Sequence, residues 1–388
     1  MKKYKLAVVL FSMTMVLFGC GKAQDAYQKG MEFADKGKYE DSLKCFEEAI
    51  KENNERTEYY IGYGMALNRL NRYEDAKKEF QTAMQDTDNK ISKENNKQLY
   101  YGMAIAEYGL GEYKSVVKYC KKALDISYFG ELDDDIQYTK MAALEQLGEW
   151  KNAKKECEAL LKRNKHYMEA YMELAKIEKE LGENDKAEKA YLDAVSVKKE
   201  YYDAYFGLYE QYILDGKTQL AEELLDQLIT IRSNKAKNLV VIGRAYFYQK
   251  NYDKAREYLK MAYDANNKES LYYLGTLELN QKAYETAISY LEQYLNEKKE
   301  DINVEAYAQL AQAYSEMGNY EKAQQAVTKG LSYGSSSATQ SLKKSRVILY
   351  EKQNQYQEAK KAAEEYVTCY PADTAMQKEL SFIETRIK

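Results

Sequence analysis

The sequence predicts an all-α fold, an α-solenoid in which about ten helical hairpins stack side by side and a last helix closes the stack. The 388 residues include a single Pro, and because Pro breaks helix interiors, a nearly continuous helical chain is favoured. A short turn signal also recurs about every 34 residues, which indicates a repeat architecture. With 45% hydrophobic and 31% charged residues, the composition excludes a disordered chain and a multi-span membrane protein.

Residues 1–19 are predicted to be a secretory signal peptide. Residues 6–18 form an uncharged, mostly apolar run that is too short to span a bilayer and is typical of the hydrophobic part of such a signal. The basic residues that precede this run are Lys2, Lys3 and Lys5.

The end of this segment resembles the lipobox of bacterial lipoproteins, in which a peptidase cuts before a Cys that carries lipid. Leu17–Cys20 matches that motif except at Phe18, where a small residue is usual. The resemblance implies that Cys20 is the mature N-terminus and that residues 20–22 tether the chain to a membrane, facing outside the cytoplasm. The alternative, a buried helix with an incidental Cys, explains neither the basic start nor the switch to polar residues at Lys22.

The rest of the chain repeats one pattern. Each copy has a turn residue, an aromatic residue or its substitute two positions later, and a small residue three positions after that. The turn residues are Gly37, Asn71, Gly111, Gly148, Gly182, Gly216, Lys250, Lys282, Gly318 and Asn354. The small positions hold Ser42, Ala76, Val116, Ala153, Ala187, Ala221, Ala255, Ala287, Ala323 and Ala359, with Val116 as the one larger side chain.

This pattern predicts pairs of antiparallel helices. Gly and Asn tolerate the left-handed conformation that ends a helix, so each turn residue is expected to separate a first helix from a second helix. Lys250 and Lys282 depart from this preference. Further small residues recur where the first helix is expected to cross the second, and they are Gly30, Gly64, Ala104, Ala175, Gly243, Gly275 and Ala311.

Ten phased copies resemble the tetratricopeptide-repeat family over residues 23–373. The resemblance implies one uninterrupted solenoid, wound as a right-handed superhelix, with an insertion near Ile91–Asn96 before the third copy. Residues 374–388 are predicted to form a capping helix, because one side of this segment is apolar and charges occupy the rest. The apolar residues of that side are Met376, Leu380, Ile383 and Ile387.

The resemblance also implies a concave groove, lined by the first helices, that binds a protein or peptide. Projecting the family's groove positions gives mostly large apolar or aromatic side chains, and Tyr offers wide contact area for recognition. The alternative, in which the same side chains pack between neighbouring first helices, stays open. The projected residues are Tyr27, Met65, Asn68, Tyr101, Tyr108, Tyr138, Lys176, Phe206, Arg244, Phe247 and Tyr272.

The sequence offers little for catalysis or metal binding. His166 is the only His and is expected in an exposed loop, and the acidic run Asp133–Asp135 is expected at a helix N-terminus, where negative charge offsets the helix dipole. We interpret four cysteines as buried small hydrophobic residues without a metal-binding spacing. They are Cys45, Cys120, Cys157 and Cys369. We therefore predict no enzyme, no metal and no cofactor other than the covalent lipid on Cys20.

The function predicted from the sequence is that of a lipid-anchored scaffold in the cell envelope that binds a protein or peptide partner. A glycan-binding protein that uses the groove tyrosines is the alternative function, and self-association is the alternative to a separate protein partner. With 58 basic and 62 acidic residues, the chain has no basic excess that would point to nucleic acid.

Overall fold

The computed structural model describes residues 21–84, 89–298, 302–333, 338–370 and 373–387. The predicted signal peptide and Cys20 lie outside these ranges. Within them the chain is helical and contains no β-strand, so the predicted all-α class is confirmed. The helices are α1 Lys22–Asp35, α2 Tyr39–Glu52, α3 Thr57–Arg69, α4 Tyr73–Thr82, α5 Lys90–Leu110, α6 Tyr113–Leu124, α7 Asp133–Gln146, α8 Trp150–Arg163, α9 Met168–Glu180, α10 Asn184–Val197, α11 Tyr202–Leu214, α12 Thr218–Ile229, α13 Ala236–Tyr248, α14 Tyr252–Asp264, α15 Glu269–Asn280, α16 Tyr284–Glu297, α17 Glu305–Glu316, α18 Tyr320–Leu331, α19 Thr339–Lys352, α20 Tyr356–Cys369 and α21 Thr374–Arg386.

The helices divide into two compact units. The N-terminal unit ends at Lys217 and contains α1–α11, and the C-terminal unit starts at Thr218 and contains α12–α21. Within each unit every helix packs against the next one in the chain. Several odd-numbered helices, which are the first helices of the repeats, also contact the following first helix, as α3 contacts α5 and α17 contacts α19.

The ten predicted turn residues all adopt the left-handed conformation. Six are Gly, two are Asn, and Lys250 and Lys282 take it as well, each with φ of 60°. The hydrogen bonds at the Lys250 turn match those at a Gly turn. The Asn251 N–H donates to the Tyr246 carbonyl at 2.9 Å, just as the Lys38 N–H donates to the Phe33 carbonyl at 2.8 Å beside Gly37. The turn geometry is therefore common to the repeats even where the residue disfavours it.

The predicted small positions of the second helices lie at the centre of each hairpin. All ten, from Ser42 to Ala359, are completely buried. Close approach also explains several glycines of the first helices. A Cβ built on Gly243 would lie 2.7 Å from Leu259 Cγ, closer than carbon atoms pack in proteins.

Charged pairs join the second helix of one repeat to the first helix of the next. Lys77 on α4 lies 3.3 Å from Glu107 on α5, and Lys154 on α8 lies 2.7 Å from Glu178 on α9. The capping helix α21 is held in the same way, since Lys360 on α20 lies 3.0 Å from Glu384. The capping helix thus packs as a first helix does.

Two of the four cysteines match the prediction, and one contradicts it. Cys120 and Cys157 are buried and Cys45 is half-buried, but Cys369 is exposed. Cys369 is the last residue of α20, where the helix end leaves the core, so its apolar spacing does not bury it. In the described part of the chain, no helix combines the length and apolar character that a bilayer span requires.

Candidate functional site

The candidate site is the face of the first helices on which the predicted groove residues lie. Because the two units are separate bodies, it consists of two surfaces. In the N-terminal unit the residues lie on α1, α3, α5, α7, α9 and α11, and in the C-terminal unit on α13 and α15. We call these the first-helix face of each unit.

Six of the eleven predicted residues are buried, which favours the alternative that they pack between helices. They include aromatic side chains that would have to leave the core before a partner could contact them. The buried residues are Tyr27, Asn68, Tyr101, Tyr108, Phe206 and Tyr272. Tyr27, Tyr101 and Phe206 are at most 4% exposed. Ring faces enclosed to this degree are also closed to the stacking of a sugar.

Tyr27 and Tyr272 illustrate how these rings are used. The Tyr27 ring centroid lies 5.6 Å from that of Phe46 and 5.1 Å from that of Tyr59, so it joins α1, α2 and α3. Tyr272 lies 5.8 Å from Tyr294, and its hydroxyl accepts a hydrogen bond from Gln309 Nε2 at 3.2 Å. Burial raises the pKa of both hydroxyls, so they stay neutral.

The remaining five predicted residues reach the surface. Lys176 is exposed, and Met65, Tyr138, Arg244 and Phe247 are half-buried. These five are the part of the prediction that a partner can contact without rearrangement of the fold.

A polar network occupies the first-helix face between α7 and α9. The Tyr138 hydroxyl donates to Glu173 at 3.1 Å, and Lys176 bonds to Glu145 and lies 3.4 Å from Glu173. Burial, reinforced by the charge of Glu173, raises the pKa of the Glu145 carboxyl to about 7, although Lys176 acts in the opposite direction. The Oε1 atom of Glu145 is buried and accepts no hydrogen bond from the described residues.

Sequence reasoning missed Glu145, although a signal was present. Glu145 precedes its turn residue, Gly148, by three positions, just as Asn68 precedes Asn71. Asn68, which was predicted, bridges two first helices because its Nδ2 atom donates to the Gly102 carbonyl at 3.0 Å. The position three residues before the turn residue therefore holds a polar side chain that bridges two first helices in both repeats, Asn68 in one and Glu145 in the other.

In the C-terminal unit, aromatic rings surround the half-buried predicted residues of α13. The Arg244 guanidinium carbon lies 4.7 Å from the centroid of the Tyr273 ring, a cation–π contact. Phe247 meets Tyr248 and Tyr252 edge to face at 5.7 and 6.0 Å. Arg244 and Phe247 stand three residues apart, so they lie on the same side of α13.

The first-helix face presents charged and aromatic side chains. His166 is exposed, as predicted, in the segment between α8 and α9, and Asp133–Asp135 form the first turn of α7, as predicted. No three His, Cys, Asp or Glu side chains in the described ranges are grouped in a way that could hold a metal ion. Arg, Tyr and Trp are enriched among the residues that dominate protein–protein binding.

Comparison with known proteins identifies the repeats. One family model described as tetratricopeptide repeat matches residues 278–344, and a second with the same description matches residues 27–90, 142–202 and 240–302. Together they cover more than half of the chain. A search of curated proteins finds no match.

Solved structures with a similar fold share little sequence with the chain. A tetratricopeptide repeat protein from Parabacteroides merdae ATCC 43184 is 17% identical, with 71% of this chain and 99% of that chain covered and a TM-score of 0.43. PilW, a type IV pilus biogenesis factor, is 19% identical, with 53% and 91% covered and a TM-score of 0.45. YrrB, described as a tetratricopeptide-repeat protein with an unusual peptide-binding site, is 20% identical, with 53% and 97% covered and a TM-score of 0.39.

Proposed function

The chain belongs to the tetratricopeptide-repeat family, whose members are generally scaffolds for protein interactions, and we propose that it is such a scaffold, anchored to a membrane outside the cytoplasm through Cys20. In this proposal the first-helix face binds a protein or peptide segment of the cell envelope. Half-exposed aromatic side chains supply apolar contact area, and neighbouring charges set the register of the bound segment.

The observation that carries the binding proposal is the pair Arg244 and Phe247 on α13. Both side chains are half-buried, so part of each is open to a partner while the rest is held by neighbouring rings. Side chains fixed in this way lose little conformational entropy when they bind. The pair therefore suits an anchor point for an extended or helical segment.

A double variant tests the binding proposal. We expect Arg244→Ala/Phe247→Ala to weaken partner binding by about thirtyfold, and so to reduce the recovery of crosslinked partners from membrane extracts, because two anchor side chains each contribute about 1 kcal/mol or more. The matched control is Lys260→Ala/Met261→Ala on α14, where both side chains are exposed on a second helix. Circular dichroism establishes that both variants fold. Equal recovery by the variant and the control would contradict the proposed site.

The anchoring proposal is supported by the sequence of residues 1–20. A basic start, an apolar run of signal-peptide length and the lipobox-like Leu17–Cys20 all point to lipid attachment at Cys20. Mass spectrometry of the mature N-terminal peptide tests it. We expect a peptide that begins at Cys20 and carries acyl chains, and a Cys20→Ala variant that is released from the membrane fraction. An N-terminal peptide beginning at Met1 in the exported protein would refute the anchor and leave the binding proposal standing.

A further inference from the structure

Helix α6 differs from all other second helices in its charge. Its sequence, Tyr113–Leu124, contains four Lys and no Asp or Glu, whereas each of the other nine second helices carries at least one acidic residue. The whole chain has a net charge of −4, so this local excess is opposite in sign to the overall charge. The four lysines are Lys114, Lys118, Lys121 and Lys122.

These lysines form one exposed stripe. Their spacing of four, three and one residues keeps them on one side of the helix, and all four are exposed, whereas Val116, Cys120 and Ala123 on the other side are buried. Lys114, Lys118 and Lys121 make no ion pair with any residue in the described ranges. Charges that are exposed and unpaired are available to a partner.

Two tyrosines extend the stripe with aromatic surface. The rings of Tyr100 and Tyr119 stack with centroids 6.3 Å apart. The Lys122 ammonium lies 5.0 Å from the Tyr100 centroid and 5.9 Å from that of Tyr119. Tyr is enriched where proteins meet the headgroup region of a membrane, because its ring is amphipathic.

The acidic run that follows α6 in the sequence does not neutralise these lysines. Asp133 pairs with Lys97 at 2.5 Å, and Asp134 pairs with Arg163 at 2.7 Å. Asp135 accepts a hydrogen bond from the Tyr167 hydroxyl at 3.3 Å. The acids are therefore engaged with α5, α8 and the start of α9. The exposed residues Glu112 and Asp125 flank α6, so its four lysines exceed these adjacent acids by two charges.

We propose that α6 is a contact surface for anionic phospholipid headgroups. A row of exposed lysines is attracted to the negative potential of such a surface, and a lipid chain combined with a basic patch gives more stable membrane association than one chain alone. The contact goes beyond the proposed partner binding, since its four lysines lie on a second helix and neither they nor Tyr100 and Tyr119 are among the predicted groove residues. It would lay the N-terminal unit against the bilayer.

Lysine footprinting on the full chain tests this proposal. The protein is mixed with vesicles of phosphatidylcholine alone, or of phosphatidylcholine with phosphatidylglycerol, and treated with a water-soluble acetylating reagent, and modification is read by mass spectrometry. We expect the α6 lysines to react about fivefold more slowly on the anionic vesicles. A lysine near such a surface is stabilised by about 1 kcal/mol, which shifts the equilibrium between its membrane-bound and its free, reactive state by a factor of about five. High salt should remove this protection, because the screening length falls from about 10 Å at 0.1 M to about 3 Å at 1 M.

The matched control is a set of lysines on the neighbouring second helix α8, where glutamates are interspersed. Lys151, Lys155 and Lys162 are also exposed and should react equally on both kinds of vesicle. A second assay measures fluorescence energy transfer from Trp150 to labelled lipid, which we expect to be greater on the anionic vesicles. Replacing the four α6 lysines by Gln should abolish this difference between the two vesicle types. Equal reactivity of the α6 lysines on both vesicles would overturn the proposal, and so would protection by a polyglutamate peptide without protection by anionic vesicles.

Discussion

The ring of Phe80 is held between two glycines, and this predicts that a single added methyl group destabilises the N-terminal unit. Phe80 on α4 is completely buried. A Cβ on Gly102 of α5 would lie 2.4 Å from its Cζ atom, and a Cβ on Gly64 of α3 would lie 2.4 Å from its Cε1 atom. Carbon atoms pack at about 3.5–4.0 Å, so the ring or a helix would have to shift by roughly 1 Å.

Two effects of opposite sign decide the outcome for Gly102→Ala. Overpacking of a filled core costs about 1–3 kcal/mol. Replacing Gly by Ala in a helix interior stabilises by about 0.5–1 kcal/mol. We therefore expect a net loss of about 0–2.5 kcal/mol. In a Phe80→Leu background the shorter side chain leaves room for the methyl group, so the same change should be neutral or stabilising, and the coupling energy should be about 1–3 kcal/mol.

The assay is a double-mutant cycle of four proteins unfolded in urea and followed by circular dichroism. Because stacked repeats need not unfold in one step, hydrogen exchange of the amides in α3–α5 supplies the local free energy. A Gly102→Ala variant that is more stable than the parent, or a coupling energy near zero, would refute the idea that close approach to Phe80 requires glycine here.

Four further substitutions test other features of the fold by urea unfolding. Lys250→Gly and Lys282→Gly should each stabilise by about 0.5–1 kcal/mol, since a left-handed residue with a Cβ costs about 1–2 kcal/mol and the freedom of Gly in the unfolded chain offsets part of that gain. Lys97→Met should destabilise by about 2 kcal/mol or more, because Lys97 is completely buried and its loss leaves the Ile126 carbonyl and the Asp133 carboxylate without their bonds of 2.9 and 2.5 Å. Glu145→Gln should flatten the pH dependence of the free energy of unfolding. The pKa of the Glu145 carboxyl is raised to about 7 in the folded protein, so stability falls as the pH rises from about 4.5 through 7. Gln does not titrate and removes that fall.

The repeat architecture could be predicted from the sequence because its determinants are local. A left-handed residue, an aromatic side chain two positions later and a small residue three positions after that define each hairpin within a few residues. Even Lys250 was correctly predicted as a turn residue, because the spacing of the neighbouring repeats indicates a turn there although Lys disfavours the left-handed conformation. The segment Ile91–Asn96, predicted as an insertion, lies in the first turns of α5, which Asn89 caps by accepting a hydrogen bond from the Ser92 N–H at 2.9 Å.

The candidate site was harder to predict because burial on the first-helix face depends on neighbours that are distant in sequence. Helical periodicity predicts that Tyr101 and Phe247 lie on this face, but it does not give the distance from each side chain to the next first helix. Where neighbouring first helices touch, as α3 and α5 do, the side chain between them is enclosed. The unbalanced charge of α6, in contrast, was visible in the sequence as twelve residues without an acid, although net charge alone concealed it.

The abundance of tyrosine, 40 residues in all, has a structural explanation that separates packing from recognition. A stack only two helices thick is thin, so a long side chain that starts in the core reaches the polar edge, where its hydroxyl finds a partner. The Tyr366 ring is 1% exposed, while its hydroxyl accepts from Gln340 at 2.9 Å and donates to Asp373 at 2.7 Å. Asp373 in turn caps α21 by accepting from the Met376 N–H at 3.0 Å. Such hydroxyls join helices, so buried tyrosines of this kind account for the packing of the stack, whereas the recognition that we propose uses exposed lysines, Arg244 and the few half-exposed rings.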